Sequence, residues 1–255
     1  MNKFYFIFDK TAKSQRFKKS ILRKYKNFPP KKSNFIIVAG GDGFMLNSLK
    51  KCLRYNKPFY GINCGTFGFL MNSYTTNNLE KRIKNARTTI INPLEILSLS
   101  KKNKKKLIAF NEISLFRQSK QTVSLRLKIK NKIIIKKLVG DGVLVSTPAG
   151  STAYNLSVHG PILNLNSEKL AITPISAFRP RRWKGKIISN KYEIEITNLD
   201  KIKRPVAAVA DNVEVRDILS LKIKINKNIK VKLLHDKDKS LFKKIKIEQL
   251  RKNIR

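Results

Sequence analysis

The chain has 255 residues, of which 41% are hydrophobic, so it can bury a sizeable core as one large domain or two modest ones. This composition excludes a disordered chain, and no apolar run approaches the roughly 20 residues that a membrane-spanning helix needs. The formal net charge of +40 favours anionic partners such as nucleotides, nucleic acid or anionic lipid, although a lysine-rich codon bias would produce the same charge.

Cysteine and histidine usage argues against a zinc site or a disulfide framework. The two cysteines, Cys52 and Cys64, lack metal-type spacing, and His159 and His235 are far apart in the sequence. We expect each cysteine to be a small buried apolar residue. The apolar stretch within residues 1–10 is too short for a signal peptide and predicts a strand, so we expect a cytoplasmic protein.

The first part of the chain alternates short apolar strands with helices. The predicted strands are 3–8, 35–39 and 59–63, and the predicted helices are 13–26, 43–54 and 78–86. Strand, glycine loop, helix and strand in succession are typical of an α/β layer that binds ligands at the carboxyl ends of its strands.

After Pro93 the pattern becomes one of successive strands. The predicted strands are 94–100, 107–116, 123–130, 143–147, 170–174, 192–197, 206–211, 219–225 and 229–234. A helix start is predicted at 151–158, a hairpin tip at 101–106 and a helix at 240–251. The predicted fold is therefore an α/β domain at 1–92, joined by a tail at 237–255, and a mostly β domain at 93–236.

Ten of the eleven glycines lie in three short stretches, which indicates three loops where backbone can approach a ligand closely. These glycines are Gly40, Gly41 and Gly43, then Gly61, Gly65 and Gly68, and finally Gly140, Gly142, Gly150 and Gly160. Two of the loops carry an aspartate between glycines, Asp42 and Asp141. Close backbone approach beside a carboxylate suits phosphoryl transfer, so the clusters predict a nucleotide site built from distant parts of the sequence.

The first loop, Gly40-Gly41-Asp42-Gly43, lies between a predicted buried strand and a helix. Backbone N–H groups at such a helix start can hold phosphate. The loop is neither a Walker P-loop nor the Gly-x-Gly-x-x-Gly dinucleotide fingerprint. The alternative is that Asp42 only caps the helix.

Two further segments carry polar groups suited to a nucleotide. Asn111 and Glu112 lie inside the predicted strand 107–116 and point to opposite faces, so we expect one of them to face a pocket and bond ribose or base edges. The alternative is that the pair belongs to a solvated strand face. The run from Gly140 to Tyr154 passes from a strand through a turn into a helix start rich in hydroxyl groups. It suits ribose, amide or phosphate contacts, or else is a well-capped helix start.

Together these motifs resemble the NAD kinase family over nearly the whole chain. The resemblance is carried by Gly-Gly-Asp-Gly, the Asn-Glu pair, and Gly-Asp-Gly followed by Ser-Thr-Pro-Ala-Gly-Ser-Thr-Ala-Tyr, in that order. The segments 63–70, 176–180 and 204–211 add to it. Gly-Gly-Asp-Gly alone is shared with diacylglycerol, sphingosine and phosphofructokinase-type kinases, whereas the Ser-Thr-rich run is far more specific.

The resemblance implies a Rossmann-like parallel sheet in the first domain, a C-terminal helix returning to it, and Asp42 as general base. It also implies a set of NAD-contacting residues, namely Asp42, Gly43, Asn111, Glu112, Asp141, Ala149, Thr152, Ala153, Tyr154, Asn155, Leu156, Ser157 and Ala177. Two positions depart from the usual family pattern: Ala149 replaces Thr or Ser, and Asn212 replaces Gly.

The leading hypothesis is phosphoryl transfer from ATP to the adenosine-ribose 2′-hydroxyl of NAD, giving NADP. Mg²⁺ or another divalent cation would accompany ATP, with no dedicated metal ligand. The alternatives are a lipid or other small-molecule kinase that shares the glycine loop, and a basic nucleic-acid-binding protein. We expect NAD and ATP as partners, no specific nucleic acid, no membrane, and a homo-oligomer, either a dimer or a tetramer, formed through the β domain.

Overall fold

A computed structural model describes residues 2–66 and 68–237 of the protein. The chain divides into two compact units. The first unit runs to Ile91 and resumes at Lys230, and the second contains Asn92–Ile229. The predicted helix at 240–251 lies outside the described residues.

The first unit is built on a five-stranded sheet in the order β1-β2-β3-β17-β4. Its strands are β1 (Phe4–Phe8), β2 (Phe35–Gly40), β3 (Phe59–Asn63), β4 (Arg87–Ile91) and β17 (Val231–His235). Its helices are α1 (Ala12–Ile21), α2 (Asp42–Cys52) and α3 (Leu79–Lys84), with short 3-10 turns at Pro30–Lys32 and Leu53–Tyr55. Four strands are parallel, but β4 pairs antiparallel with β17. The sheet is therefore mixed, whereas a parallel sheet was expected.

Burial explains why these segments form a layered core. In β2, every residue from Ile36 to Gly40 is buried, as expected for a central parallel strand covered on both faces. Helix α1 buries Phe17 and Ile21, and the Ser14 hydroxyl donates to the Ala39 carbonyl at 2.8 Å. This bond fixes the beginning of α1 beside the carboxyl end of β2.

The strand predicted at 229–234 forms, but not in the predicted domain. As β17 it lies between β3 and β4, with Leu233 opposite both Phe59 and Thr89. Leu233 and Leu234 are buried there, and the side-chain amide of Asn72 donates to the Leu234 carbonyl at 2.9 Å. The apolar pattern identifies a buried strand, whereas its sheet is selected by long-range pairing that the pattern does not encode.

The second unit is mostly β, as predicted, and contains two six-stranded sheets. One has the order β12-β11-β10-β7-β14-β15, and the other has the order β6-β5-β16-β13-β8-β9. The bounds are β5 (Leu94–Ser100), β6 (Lys104–Ala109), β7 (Glu112–Arg117), β8 (Val123–Ile129), β9 (Lys132–Gly140), β10 (Gly142–Ser146), β11 (Lys169–Ile175), β12 (Lys186–Ser189), β13 (Ile194–Asn198), β14 (Val206–Ala210), β15 (Val213–Val215) and β16 (Ile218–Ile225).

A shared apolar core joins strands of both of these sheets. It includes Ile96 and Leu127 from one sheet and Val143 and Ile172 from the other, all fully buried. Strand β10 is buried along its whole length, so the segment from Gly142 onward is anchored by the core rather than lying in a surface loop.

The single strand predicted at 107–116 is two strands in different sheets. The chain leaves β6 at Ala109 and enters β7 at Glu112. Phe110 and Asn111 form the crossing point, which is why Asn111 and Glu112 do not lie in mid-strand as the sequence predicts. Apolar residues lie on both sides of the Asn-Glu pair, as they would in one long strand, so hydrophobic periodicity alone does not reveal the break.

Candidate functional site

The first glycine loop connects β2 to α2 at the carboxyl end of a parallel strand. Gly41 occupies the N-cap position, and Asp42 is the first residue of the helix. The alternative in which Asp42 is itself the N-cap is therefore wrong. Gly43 is exposed in the first turn, where backbone N–H groups lack partners within the helix.

The second glycine loop orients the Asp42 carboxylate. The backbone N–H of Phe69 donates to Oδ2 at 2.7 Å, and that of Leu70 donates to Oδ1 at 3.0 Å. Two charge-assisted bonds from consecutive amides restrict the rotation of a short side chain. Asp42 is thus held at the carboxyl edge of the sheet in one orientation.

Glycine is needed where the second loop packs on this carboxylate. A Cβ atom at Gly68 would lie 2.9 Å from Cγ of Met71 and 3.1 Å from Oδ1 of Asp42. The loop is also tied to the first one, because the Cys64 amide donates to the Gly40 carbonyl at 2.8 Å. Lys13, which lies in none of the sequence motifs, adds a cation here, with Nζ 3.4 Å from the Gly65 carbonyl oxygen.

In the second unit, Asn111 and Glu112 lie where the chain enters β7, and Asp211 fixes the backbone at this point. The amides of Phe110 and Asn111 donate to the two Asp211 carboxylate oxygens at 3.0 and 2.8 Å. In return, the Asp211 amide donates to the Glu112 carbonyl at 3.0 Å. The motifs of the sequence give Asp211 no role of its own, although an aspartate followed by Asn212 directly after a strand is a turn signal.

The Glu112 side chain is only 8% exposed, and its Oε2 is buried without a hydrogen-bond partner among the described residues. Burial, and secondarily the charge of Asp211, raises the pKa of Glu112 to about 8. The side-chain oxygen of Asn111 is likewise buried and unbonded within the described part of the chain. Buried polar atoms normally have partners, so these two oxygens are candidates for bonding a ligand.

The segment after β10 packs directly on this pair. The Thr147 hydroxyl donates to the Phe110 carbonyl at 2.7 Å and accepts from the Gly150 amide at 3.1 Å. A Cβ atom at Gly150 would lie 2.3 Å from the Asn111 carbonyl oxygen, so only glycine allows this approach. Asn111 and the start of the hydroxyl-rich run therefore belong to one local structure.

The predicted helix at 151–158 is shorter than expected, and its residues differ in how deeply they are buried. A 3-10 turn at Ala149–Thr152 precedes a single α-helical turn, α4 (Tyr154–Ser157). Ala149 and Thr152 are buried, Ala153, Tyr154 and Leu156 are half-buried, and Ser157 is exposed.

The side chain of Asn155, one of the predicted NAD contacts, is fully buried and bonds to protein groups. Its amide group donates to the carbonyls of Ser151 and Pro161, and its Oδ1 accepts from the Thr173 hydroxyl at 2.6 Å. Gly160 packs against it, where a Cβ atom would lie 2.1 Å from Oδ1. These bonds connect α4 to the segments that precede and follow it and to β11.

Asp141, Tyr154 and Glu112 share one electrostatic environment. Asp141 accepts a hydrogen bond from Nε of Arg117 at 2.6 Å and stays 40% exposed. Burial raises the pKa of Tyr154, and the charges of Asp141 and Glu112 raise it further. The Tyr154 ring lies 5.7 Å from that of Phe116, which positions it over β7.

Ala177 follows β11 and lies beside the same segment, because a Cβ atom at Gly140 would come within 3.1 Å of its Cα. The structure thus brings together Asn111, Glu112, Asp141, Tyr154 and Ala177 in the second unit. Asp42 and Gly43 belong to the first unit.

Within residues 2–66 and 68–237, no group of three or more His, Cys, Asp and Glu side chains is placed to hold a metal ion. None of the helices in the described part of the chain is long and apolar enough to cross a membrane.

The sequence matches two protein-family models. Residues 3–89 match the ATP-NAD kinase N-terminal domain, and residues 110–234 match the ATP-NAD kinase C-terminal domain. A protein named NAD kinase from Caulobacter vibrioides is 42% identical over 237 residues, which cover 92% of this chain and 91% of that protein. Another from Rhizobium meliloti is 41% identical over 249 residues, which cover 97% of each.

Two solved structures have a similar fold. An NAD kinase from Archaeoglobus fulgidus in complex with ATP superposes with a TM-score of 0.77 at 22% identity, covering 96% of this chain and 98% of that one. Yeast NADH kinase complexed with NADH gives 0.77 at 18% identity, covering 92% and 84%. At such identities these likenesses concern the fold alone.

Proposed function

The chain belongs to the NAD kinase family, and we propose that it transfers a phosphoryl group from ATP to the 2′-hydroxyl of the adenosine ribose of NAD, producing NADP. The observation that carries this proposal is the Asp42 carboxylate, which two backbone amides orient at a strand–glycine loop–helix junction. Relatives named NAD kinase at about 40% identity over nearly the full chain support it.

Asp42 acts as the general base. The ribose hydroxyl is not acidic at neutral pH, so its proton must leave as the bond to phosphorus forms. An ionised carboxylate can accept about four hydrogen bonds, so the two amide donors are compatible with a further one from the 2′-hydroxyl. The amides also fix the direction in which the proton is accepted.

Phosphate charge is balanced at the same edge of the first unit. The first turn of α2 and the glycine backbone offer N–H groups, and Lys13 adds a positive charge near Gly65. Mg²⁺ or another divalent cation enters with ATP as part of the substrate and neutralises the triphosphate.

NAD contacts are proposed for the residues that the second unit assembles. Asn111 and Glu112 present buried unbonded oxygens to ribose or base groups. Tyr154 and Asp141 offer a hydroxyl and a carboxylate nearby. The other proposed contacts are Ala149, Thr152, Ala153, Asn155, Leu156, Ser157 and Ala177. The side chain of Asn155 also bonds to protein groups.

The resemblance to NAD kinases also supports two broader proposals, that the protein works in the cytoplasm and that it is a dimer or tetramer. Light scattering of the purified protein would measure its mass in solution. A monomer at micromolar concentration would contradict the second proposal.

The activity is tested by incubating purified protein with ATP, Mg²⁺ and NAD and measuring NADP with an NADP-specific dehydrogenase. Parallel reactions replace ATP by polyphosphate, and NAD by NADH, diacylglycerol or sphingosine. NADP formation that requires both substrates is expected. Phosphorylation of a lipid without NADP formation would replace this function with that of a lipid kinase.

A further inference from the structure

We infer that Asp211 is a positioning residue for NAD binding: its carboxylate fixes the backbone that presents Asn111 and Glu112, and its charge acts on the Glu112 carboxyl. The inference rests on the NAD kinase function proposed above and names a residue that controls how the substrate site is built.

Phe110 and Asn111 lie where the chain passes from one sheet to the other, so the regular ladders end on either side of them. The Asp211 carboxylate accepts both of their amides, at 3.0 and 2.8 Å. With the Asp211 amide donating to the Glu112 carbonyl, three bonds join segments that are about 100 residues apart.

Asp211 has a φ of 53°, in the left-handed region that L-residues other than Asn and Asp rarely adopt. Glycine would adopt this backbone more easily but would supply no carboxylate. Strained backbone persists where the surrounding contacts require it, and here those contacts involve the candidate ligand-binding pair.

Burial raises the pKa of Glu112 first, and the negative charge of Asp211 raises it further, to about 8. The other titratable groups in this environment are Tyr154 and Asp141, and Arg117 pairs with Asp141. Asp211 therefore favours the protonated form of Glu112 at neutral pH, and NAD affinity should change as Glu112 loses its proton.

The test uses the full-length protein and isothermal titration calorimetry with NAD between pH 6 and 9. The wild type is expected to show an inflection in Kd near pH 8, whichever form of Glu112 binds better, and Glu112→Gln should remove it. Asp211→Asn keeps a residue that tolerates left-handed backbone but removes the charge. It is expected to weaken NAD binding about tenfold, as for a lost charge-assisted hydrogen bond, and to move the inflection to lower pH.

Asp217→Asn is the matched control, because Asp217 has a φ of 56° and its carboxylate accepts instead from the Gln118 side chain. Its Kd for NAD and its KM for ATP should stay within twofold of wild type. The pH at which its Kd inflects should be unchanged. An Asp211→Asn protein with unchanged Kd and inflection would overturn the inference, and so would an Asp217→Asn protein with the same defects.

The comparison of wild type with Glu112→Gln does not depend on Asp211→Asn folding. A wild-type Kd without an inflection, or one that Glu112→Gln retains, would also overturn the inference. Calorimetry reports on binding without turnover, so a protein that binds NAD with this pH dependence yet makes no NADP would refute only the proposed activity.

Discussion

The backbone amide of Leu70 lies 3.0 Å from Oδ1 of Asp42, and this bond joins two glycine loops across 28 positions of sequence. The neighbouring amide of Phe69 bonds the other carboxylate oxygen. The second glycine loop therefore orients the Asp42 carboxylate.

Asp42→Asn is expected to lower kcat by about 10²–10⁴, the usual contribution of a general base, with NAD binding retained. One of the two amide donors would face the new NH₂ group, so the free energy of unfolding should fall by only about 1–3 kcal/mol. Steady-state kinetics, calorimetry and thermal melting measure the three quantities.

Asp9→Asn is the control for this substitution, because Asp9 also follows a strand of the first unit but bonds the amide of Lys10. Its kcat should stay within about twofold of wild type. Near wild-type turnover by Asp42→Asn would show that the carboxylate is structural only.

The sequence predicts the loops well because glycine leaves a clear local signal. Gly68 and Gly150 lie where an added Cβ atom would strike a neighbour, and both were recognised as loop glycines. The partners that these loops contact are long-range and therefore not readable from the pattern. For the same reason the pattern assigns β17 to the wrong domain, and it gives no role to Asp211, whose bonds span about 100 residues.

Burial also separates residues that look equivalent in the sequence. Asn155 and Ser157 lie in one short run of polar residues, and both were predicted to contact NAD. The first is fully buried, and its side chain bonds to protein groups, whereas the second is exposed. One turn of helix places them on opposite sides, and the helix is too short for its periodicity to show which side faces the core.

Glu112→Gln is expected to stabilise the protein against unfolding at high pH. The folded pKa of about 8 is raised above the usual value of 4.5, so between these values the unfolded chain releases a proton that the folded protein holds. Stability is therefore lost as pH rises from about 4.5 to about 8. The gain for Gln should be negligible near pH 4 and on the order of a few kcal/mol near pH 8.

Chemical denaturation without NAD at pH 4, 6 and 8 measures this gain. Glu193→Gln serves as the control, since Glu193 is an exposed glutamate. A Glu112→Gln protein that is less stable than wild type at pH 8 would show that the ionised carboxylate has a stabilising partner.

Asn155→Ala is expected to destabilise the second unit by about 2–4 kcal/mol, because it removes three buried hydrogen bonds and leaves the Thr173 hydroxyl unpaired. Asn164→Ala, at an exposed position nearby, should change stability by less than about 0.5 kcal/mol. Thermal and urea unfolding measure both changes. An Asn155→Ala protein with wild-type stability and a raised KM for NAD would show that the side chain contacts the ligand and has no structural role.

The net charge of +40 is expected to give only weak, salt-sensitive attraction to nucleic acid. Lysines distributed over the chain bind phosphates by releasing counterions and read no base sequence, so binding of a short DNA duplex should collapse between about 50 and 200 mM salt. NADP formation should persist over that range, because its proposed contacts are backbone amides and buried side chains, which are screened less than exposed charges. Fluorescence anisotropy of labelled duplexes and the coupled NADP assay, run on the same salt series, separate the two behaviours. Tight, sequence-selective duplex binding that survives 200 mM salt, in a protein that forms no NADP, would favour a nucleic-acid-binding function over the kinase.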